Sequence, residues 1–422
     1  MKSVVAFPGT MEHAQQIALA LHERGALERY VTTFAYRDAG ALGALARHVP
    51  ALQAQLARRS LDLVPPERVS AYPAWEIIRT LAQKARVSET NVDRLWDILS
   101  HRFDAIVARD HVPEADAIHA FEYTALASFR RAGETGARRV LHLPALNNVY
   151  ARDILQQERA EWIALRRDDD RYFDEKFLRR QDRRDAEAAL ADIVFVNSRL
   201  TARSHAAHGV DERKIVVAPL GAPPPDVSVN ARDINAPLSV LWVGGFSLQK
   251  GGHYLAQAWR MLGVRDHARL DIFGRATLAP TLFCNSDRVL FHGSVPRSSL
   301  KAIYRSADVL VFPSLADGFG MVVGEALASG LPVIVSDMAG AADIVDPSCG
   351  FVIPARSAQA IVESLQWCLD NRATLQAMRL CALRAAARRQ WVDFRRDIAA
   401  SLECPLEQGD AHRQGLPCAS AS

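Results

Sequence analysis

Short runs of β-branched and aliphatic residues alternate along this chain with longer stretches of helical period, and that alternation is the strongest constraint on its fold. Strand-helix-strand repetition implies parallel sheets with crossover helices. In the first half the runs fall near Ser3–Phe7, Ala105–Val107, Ala117–Ala120, Arg139–Leu143 and Ile193–Asn197. In the second they recur near Leu238–Val243, Leu270–Phe273, Val289–His292, Val309–Phe312 and Pro332–Val335. Two doubly wound, Rossmann-like α/β sheets follow. With 422 residues, 49% of them apolar, the chain is long enough to bury two ordinary cores. The stretch from Pro219 through Pro225 to 235–237 is rich in proline and short of long apolar side chains, and is the expected hinge.

The formal charge of +3 is small for this length, so nothing in the balance calls for nucleic acid. Six cysteines show neither close pairing nor metal-ligand spacing and read as thiols of a reducing compartment. The apolar run Ser3–Phe7 ends at Pro8-Gly9, too short for a signal-peptide core, and no stretch reaches bilayer-spanning length. The expected location is cytoplasmic. Arg388-Arg389 and Arg395-Arg396 offer a peripheral contact with an anionic membrane as an alternative to an exposed, charged helix. The charged segment from about Arg152 to Asp185 reads as solvated helices, with an acceptor-side arm near the cleft as the functional alternative.

Chemistry concentrates in Asp317-Gly-Phe-Gly-Met-Val-Val-Gly-Glu325. The strand before it, the loop Pro313–Gly320 and a helix over Met321–Ser329 closed by Gly330 put a glycine loop at a helix's positive end. There, backbone N–H groups from Phe319 to Val322 can hold phosphate oxygens, and Gly318 and Gly320 let the ligand approach. Glu325 shares a helix face with Met321 in apolar surroundings, so a ribose diol is an attractive partner for it. A second motif, Leu241–Gly252, leads from a strand into a glycine loop, where Lys250 is placed to meet a diphosphate. At the amino terminus Phe7-Pro-Gly-Thr10 precedes a helix over Glu12–Arg24, where Gly9 can admit a donor phosphate or an acceptor group. No Asp-x-Asp cluster with metal-ligand geometry stands out, so no essential metal is expected.

These motifs resemble the retaining group 1 glycosyltransferases, which have the GT-B fold of two Rossmann-like domains facing across a cleft. The resemblance is strong from about 194 to 354 and looser in the first half. It implies that Asp317 faces the transferred sugar, where the family usually has Glu, and that Glu325 grips the nucleotide ribose. It also implies that Lys250 neutralises the donor's phosphates. Gly245 stands where the family has a second cation, and Arg275 is the candidate to replace it. The strand Asp116–Ala120 resembles one ending in His-x-His; the first position is His119 but the second is Phe121, leaving Glu122 or Tyr123 to do part of the missing imidazole's work. His119 itself reads as a hydrogen-bonded histidine at the strand's end. Gly293 in the His292-Gly-Ser294 loop would border the base.

The implied organisation is an acceptor-side domain over 1–225, completed by a returning helix at about 388–403, and a nucleotide-sugar-binding domain over 226–387; a tail over 404–422 is expected to be disordered. The implied activity is transfer of a sugar from a nucleoside diphosphate sugar to a saccharide, lipid-linked or small-molecule hydroxyl, as in cell-surface polysaccharide or glycan biosynthesis. Two alternatives stay open: a catalytically weak sugar-nucleotide-binding partner of another transferase, or a nucleotide-sugar epimerase of the same fold.

Overall fold

The computed structural model describes residues 1–36, 60–74, 78, 87–167, 170–226, 228, 231–263 and 267–403. The expected tail over 404–422 lies outside the described residues. Strands run as β1 (Ser3–Ala6), β2 (Leu27–Thr32), β3 (Val69–Ala71), β4 (Ala117–Phe121), β5 (Arg138–Leu143), β6 (Ile193–Val196), β7 (Ile215–Val217), β8 (Leu238–Val243), β9 (Ala268–Phe273), β10 (Val289–Gly293), β11 (Val309–Phe312), β12 (Val333–Ser336) and β13 (Gly350–Ile353). The described helices of more than one turn are α1 (Glu12–Glu23), α2 (Glu89–Asp110), α3 (Leu126–Thr135), α4 (Asn148–Glu161), α5 (Asp170–Leu190), α6 (Arg199–Ala206), α7 (Gly252–Leu262), α8 (Arg297–Arg305), α9 (Met321–Ala328), α10 (Ala358–Asp370), α11 (Arg372–Ala387) and α12 (Trp391–Glu403).

Seven strands form one sheet in the order β3-β2-β1-β4-β5-β6-β7, and six form another in the order β10-β9-β8-β11-β12-β13. All pairings are parallel, so every strand in a sheet ends at the same edge. Ligands bind at such carboxyl edges in doubly wound sheets, because crossover loops and helix N-termini gather there.

Ala105–Val107 is not a strand. It lies within α2, whose Leu99, Phe103 and Val107 recur every four residues and are all buried, so a helical period outweighs three residues of β preference. Ser88 starts that helix by accepting a hydrogen bond from Asn91 N–H. Strands β2, β3, β7 and β13 went unread, β2 because Glu28 and Arg29 interrupt its apolar pattern and β13 because it opens on Gly350.

The charged segment is not simply solvated. Arg180 of α5 is 5% exposed and pairs with Asp93 (2.9 Å) and Asp97 (2.5 Å) of α2. Arg183 pairs with the buried Asp104 and Glu187. Those acids in turn accept the N–H groups that open α3: Glu187 takes Tyr123, Ala125 and Leu126, and Asp104 takes Ala127 and Ser128. The charges fasten three helices together.

The sheets are joined twice. Ala222 N–H donates to Arg389 C=O at 2.8 Å, and a β-carbon on Gly221 would lie 2.3 Å from Trp391 N, so both connections pass side by side. Beyond that crossing, α12 packs on α1, with Arg395 bonded to Glu23 (3.0 Å) and Gln16 (2.8 Å). Buried Trp391, Phe394 and Ile398 belong to an apolar cluster that runs from Val5 and Ile17 to Val323 and Leu327. The two halves therefore share a core.

Candidate functional site at the facing sheet edges

Loops from the two carboxyl edges meet at Gly318. A β-carbon there would lie 2.3 Å from Pro144 C=O, so only glycine fits, and Gly318 C=O accepts hydrogen bonds from Ser198 (2.7 Å) and Thr201 (3.0 Å), both buried in the first half. Gly318 is thus held by the neighbouring sheet's loops. Around it, Asp317 N–H bonds Met338 C=O and Phe319 C=O accepts from Ala341 N–H at 2.6 Å, which fixes the loop on both sides.

This loop is laced to the one after β8. Gln249 Nε2 donates to Ala316 C=O at 2.8 Å, and Leu315 N–H to Gln249 C=O. Gly251 has φ 74°, and a β-carbon there would reach Pro313 C=O at 2.0 Å, so the two loops touch through glycine. The lacing brings Lys250 to Asp317, where ammonium and carboxylate form a direct ion pair, with Lys250 Nζ 5.4 Å from the Phe312 ring centre. Two residues 67 apart in sequence are thereby one charged unit.

Gly320, at φ 92°, caps α9 with no side-chain bond, leaving the N–H groups of Met321 and Val322 without a side-chain cap at the helix's positive end. Phe319 N–H is taken, donating to Asp317 Oδ1 at 3.2 Å. Glu325, one turn on, is not the partnerless carboxylate that its apolar neighbours imply. Tyr304 OH donates to its Oε2 at 2.8 Å, and Arg297 lies 3.7 Å from Oε1. Burial raises the Glu325 carboxyl above its ordinary range while Tyr304 and Arg297 pull it back. Arg297 also pairs with Glu12 of α1, so Glu12, Arg297 and Glu325 form a charged bridge between the halves.

Three adjacent strands of the second sheet end on left-handed glycines, Gly244 (φ 119°), Gly274 (φ 142°) and Gly293 (φ 69°). A β-carbon on Gly274 would lie 2.0 Å from Gly244 C=O, and nothing lies within 4 Å of one on Gly293. Gly245 faces Arg275, whose C=O would be 3.8 Å from a Gly245 β-carbon; the exposed Arg275 thus shares the loop pair where the sequence lacks its second cation. His292 stacks on Phe273 at 4.2 Å and bonds Asp271 at 2.8 Å.

In the first half, Gly9 C=O accepts from Thr32 Oγ1 at 3.0 Å, which fixes the turn before α1. His119 is not at a strand end open to ligand. It is wholly buried mid-strand, bonded to His142 at 3.1 Å, and desolvation drives its pKa down to about 3. Phe121 is buried too, packed on Phe7 (4.6 Å), His13 (5.3 Å) and His142 (5.0 Å). Tyr123 is committed elsewhere: its hydroxyl donates to Asp97 at 2.9 Å and its ring stacks on Trp96. Glu122 is half-buried at the carboxyl edge and pairs with Arg184 (2.7 Å) and Asn148 (2.8 Å).

Sequence reasoning missed Arg297, Tyr304, Glu12, His13 and Ser198. Tyr304 had a local signal, an aromatic residue just before β11, but Arg297 and Glu12 are 285 residues apart and only the fold joins them. Among the described residues, no group of three or more His, Cys, Asp or Glu could hold a metal ion, and no helix is long and apolar enough to cross a membrane.

Residues 237–371 match the family model described as Glycosyl transferases group 1. An uncharacterized glycosyltransferase of Methanocaldococcus jannaschii is 38% identical over 112 residues, which are 25% of this chain and 29% of that protein. The D-inositol 3-phosphate glycosyltransferase of Nocardia farcinica is 31% identical over 132 residues, 31% of this chain and 29% of its own length. The match thus spans under a third of these two relatives. Among solved structures, Anabaena HepE in complex with UDP aligns with a TM-score of 0.59 over 95% of this chain and 99% of that one, at 17% identity. The architecture is that of GT-B glycosyltransferases.

Proposed function

We propose that this chain, whose second half carries a group 1 glycosyltransferase domain on a GT-B fold, transfers a sugar from a nucleoside diphosphate sugar to an acceptor hydroxyl with retention of anomeric configuration. The observation that carries the reading is the Lys250–Asp317 ion pair beside the uncapped start of α9, with Glu325 one turn further on. One short span then offers a cation and backbone donors for a diphosphate, a carboxylate for the sugar and another for the ribose.

As the bond from the anomeric carbon to the diphosphate oxygen breaks, negative charge grows on the leaving group. Lys250, turning from Asp317, and the N–H groups of Met321 and Val322 meet that charge, the contribution expected of donors preorganised at a charge-developing atom. Gly318, Phe319 and Gly320 shape the approach, and Arg275 beside Gly245 adds positive charge. Asp317, released from Lys250, orients the sugar hydroxyls. Glu325, held by Tyr304, accepts from the ribose diol. The acceptor oxygen bonds to the anomeric carbon as its proton passes to the departing phosphate. Glu122, paired with Arg184 and Asn148, borders the acceptor side with Gly9; Gly293 borders the base. No metal is assigned to the site, because these groups meet the phosphate charge themselves.

UDP, bound in the HepE structure, makes UDP-sugars the first donors to test. Incubating the purified chain with UDP-, GDP- and ADP-sugars, with and without hydroxyl acceptors, should release nucleoside diphosphate from one donor class. Binding without transfer or hydrolysis for any donor would instead favour a sugar-nucleotide-binding partner, and conversion of the donor's own sugar an epimerase.

A further inference from the structure

We infer that the second half carries an inorganic anion site, sized for a halide, at the sheet edge opposite the cleft, where Arg232, Arg372 and Arg379 surround Asp308. Asp308 lies just before β11 and is already engaged by three donors. It accepts Ser239 N–H (2.8 Å), Arg232 Nε (2.6 Å) and Arg372 Nη2 (3.2 Å). Two guanidinium groups therefore pair with one carboxylate and a third, that of Arg379, lies in its field without bonding it.

Arg379 is the least compensated. It is 4% exposed and donates to two backbone carbonyls, of Ala307 (3.0 Å) and Arg305 (3.5 Å). Among the described residues, its Nε is buried without a hydrogen-bond partner, and so is Nη1 of Arg372. Desolvation, with Arg232 and Arg305 nearby, holds the Arg379 pKa below its ordinary value. A buried guanidinium whose one nearby carboxylate, Asp308, already pairs with two other arginines is under-compensated, and an anion relieves it where a neutral water does so only in part.

A small cavity lies against these groups, walled by Ile234 and Leu375 and edged by Gln376, with room for about one water-sized particle. A tetrahedral phosphate or sulfate far exceeds a water in size, whereas chloride exceeds it only slightly, so a halide is the anion that needs the least rearrangement of the walls. The first turn of α11 adds to the attraction: Arg372 begins the helix, and Asn371 caps it with no side-chain bond.

Arg372 also holds the carbonyls of Ile234 and Ala236 at 3.4 Å, and Arg232 N–H bonds Gln376 at 3.2 Å. These residues end the segment joining the two sheets. An anion here fastens that segment to the second sheet, and the site's effect is on stability and on the linker's anchorage.

The test is made on the full chain. Crystals soaked in sodium bromide should show an anomalous peak in contact with Arg379 Nε and Arg372 Nη1. At fixed ionic strength, replacing sodium gluconate with sodium chloride should raise the melting temperature along a saturating curve. Arg379→Gln should abolish that chloride-specific rise while leaving the response to ionic strength. Density for water alone with no bromide peak there, or coincident chloride and gluconate curves for the wild type, overturns the site whether or not the variant folds.

Discussion

At the scale of single residues, the site is a set of charges whose resting partners are other charges of the site. Glu325 is held by Tyr304 and neighboured by Arg297, so a ribose finds its acceptor already oriented. Glu325→Ala should weaken nucleoside diphosphate binding about tenfold or more, as expected for the loss of a hydrogen bond to a charged group. Calorimetry giving wild-type affinity removes Glu325 from the ribose. Lys250 acts where charge grows, so Lys250→Ala should lower kcat by about 10²-fold while donor KM moves much less. Steady-state kinetics with both parameters unchanged would mean that another cation holds the phosphates. Gly245 has ordinary backbone geometry and room for a β-carbon, so Gly245→Arg should fold. Its transfer rate should not rise, because Arg275, whose backbone lies across the loop, is proposed to supply that charge, and a severalfold increase would show the site to be short of a cation.

Among elements, the joint between the facing edges includes one contact that does double duty. Ser198 Oγ bonds Gly318 C=O and accepts Thr201 N–H as the cap of α6, so one hydroxyl serves both a helix start and the contact between halves. Ser198→Ala should cost about 1–2 kcal/mol, read from urea unfolding midpoints, and no loss would mean that Thr201 alone suffices. Much of this level was legible in the chain. The strand, loop and helix over 307–330 read correctly because apolar alternation, Pro313 and the flanking glycines all agree with the final structure. Ala105–Val107 misled because β-branching in a short run says little against a helical period set by residues four apart. The α2–α5 charges misled because identical patterns serve a solvated face and a packed one, and only Asp104 and Glu187 closing over α3 decide between them.

For the whole molecule, the candidate site was half legible: Asp317, Lys250 and Glu325 announce themselves through glycine loops, whereas the Glu12–Arg297 bridge exists only once two sheets face each other. The burial of His13, His119 and His142 was equally hidden, and it predicts a response to acid. Burial keeps His13 (about 4) and His119 (about 3) neutral, and pushes His142 down as well. The unfolded chain protonates them near 6.5, so it binds more protons at lower pH, and stability falls as pH drops from about 6.5 toward 4 by ~1.4 kcal/mol per unit for each histidine. Urea midpoints at pH 7 and 5 should show this loss, reduced in His13→Phe; equal midpoints contradict it. Whether the facing edges form a working sugar-nucleotide site is decided by product release. With a panel of nucleoside diphosphate sugars and acceptor hydroxyls, the wild-type chain should release nucleoside diphosphate and join the sugar to the acceptor, and Lys250→Ala should release it about a hundredfold more slowly. Equal release by wild type and variant, or none from any donor, would mean that the facing edges are not a transferase site.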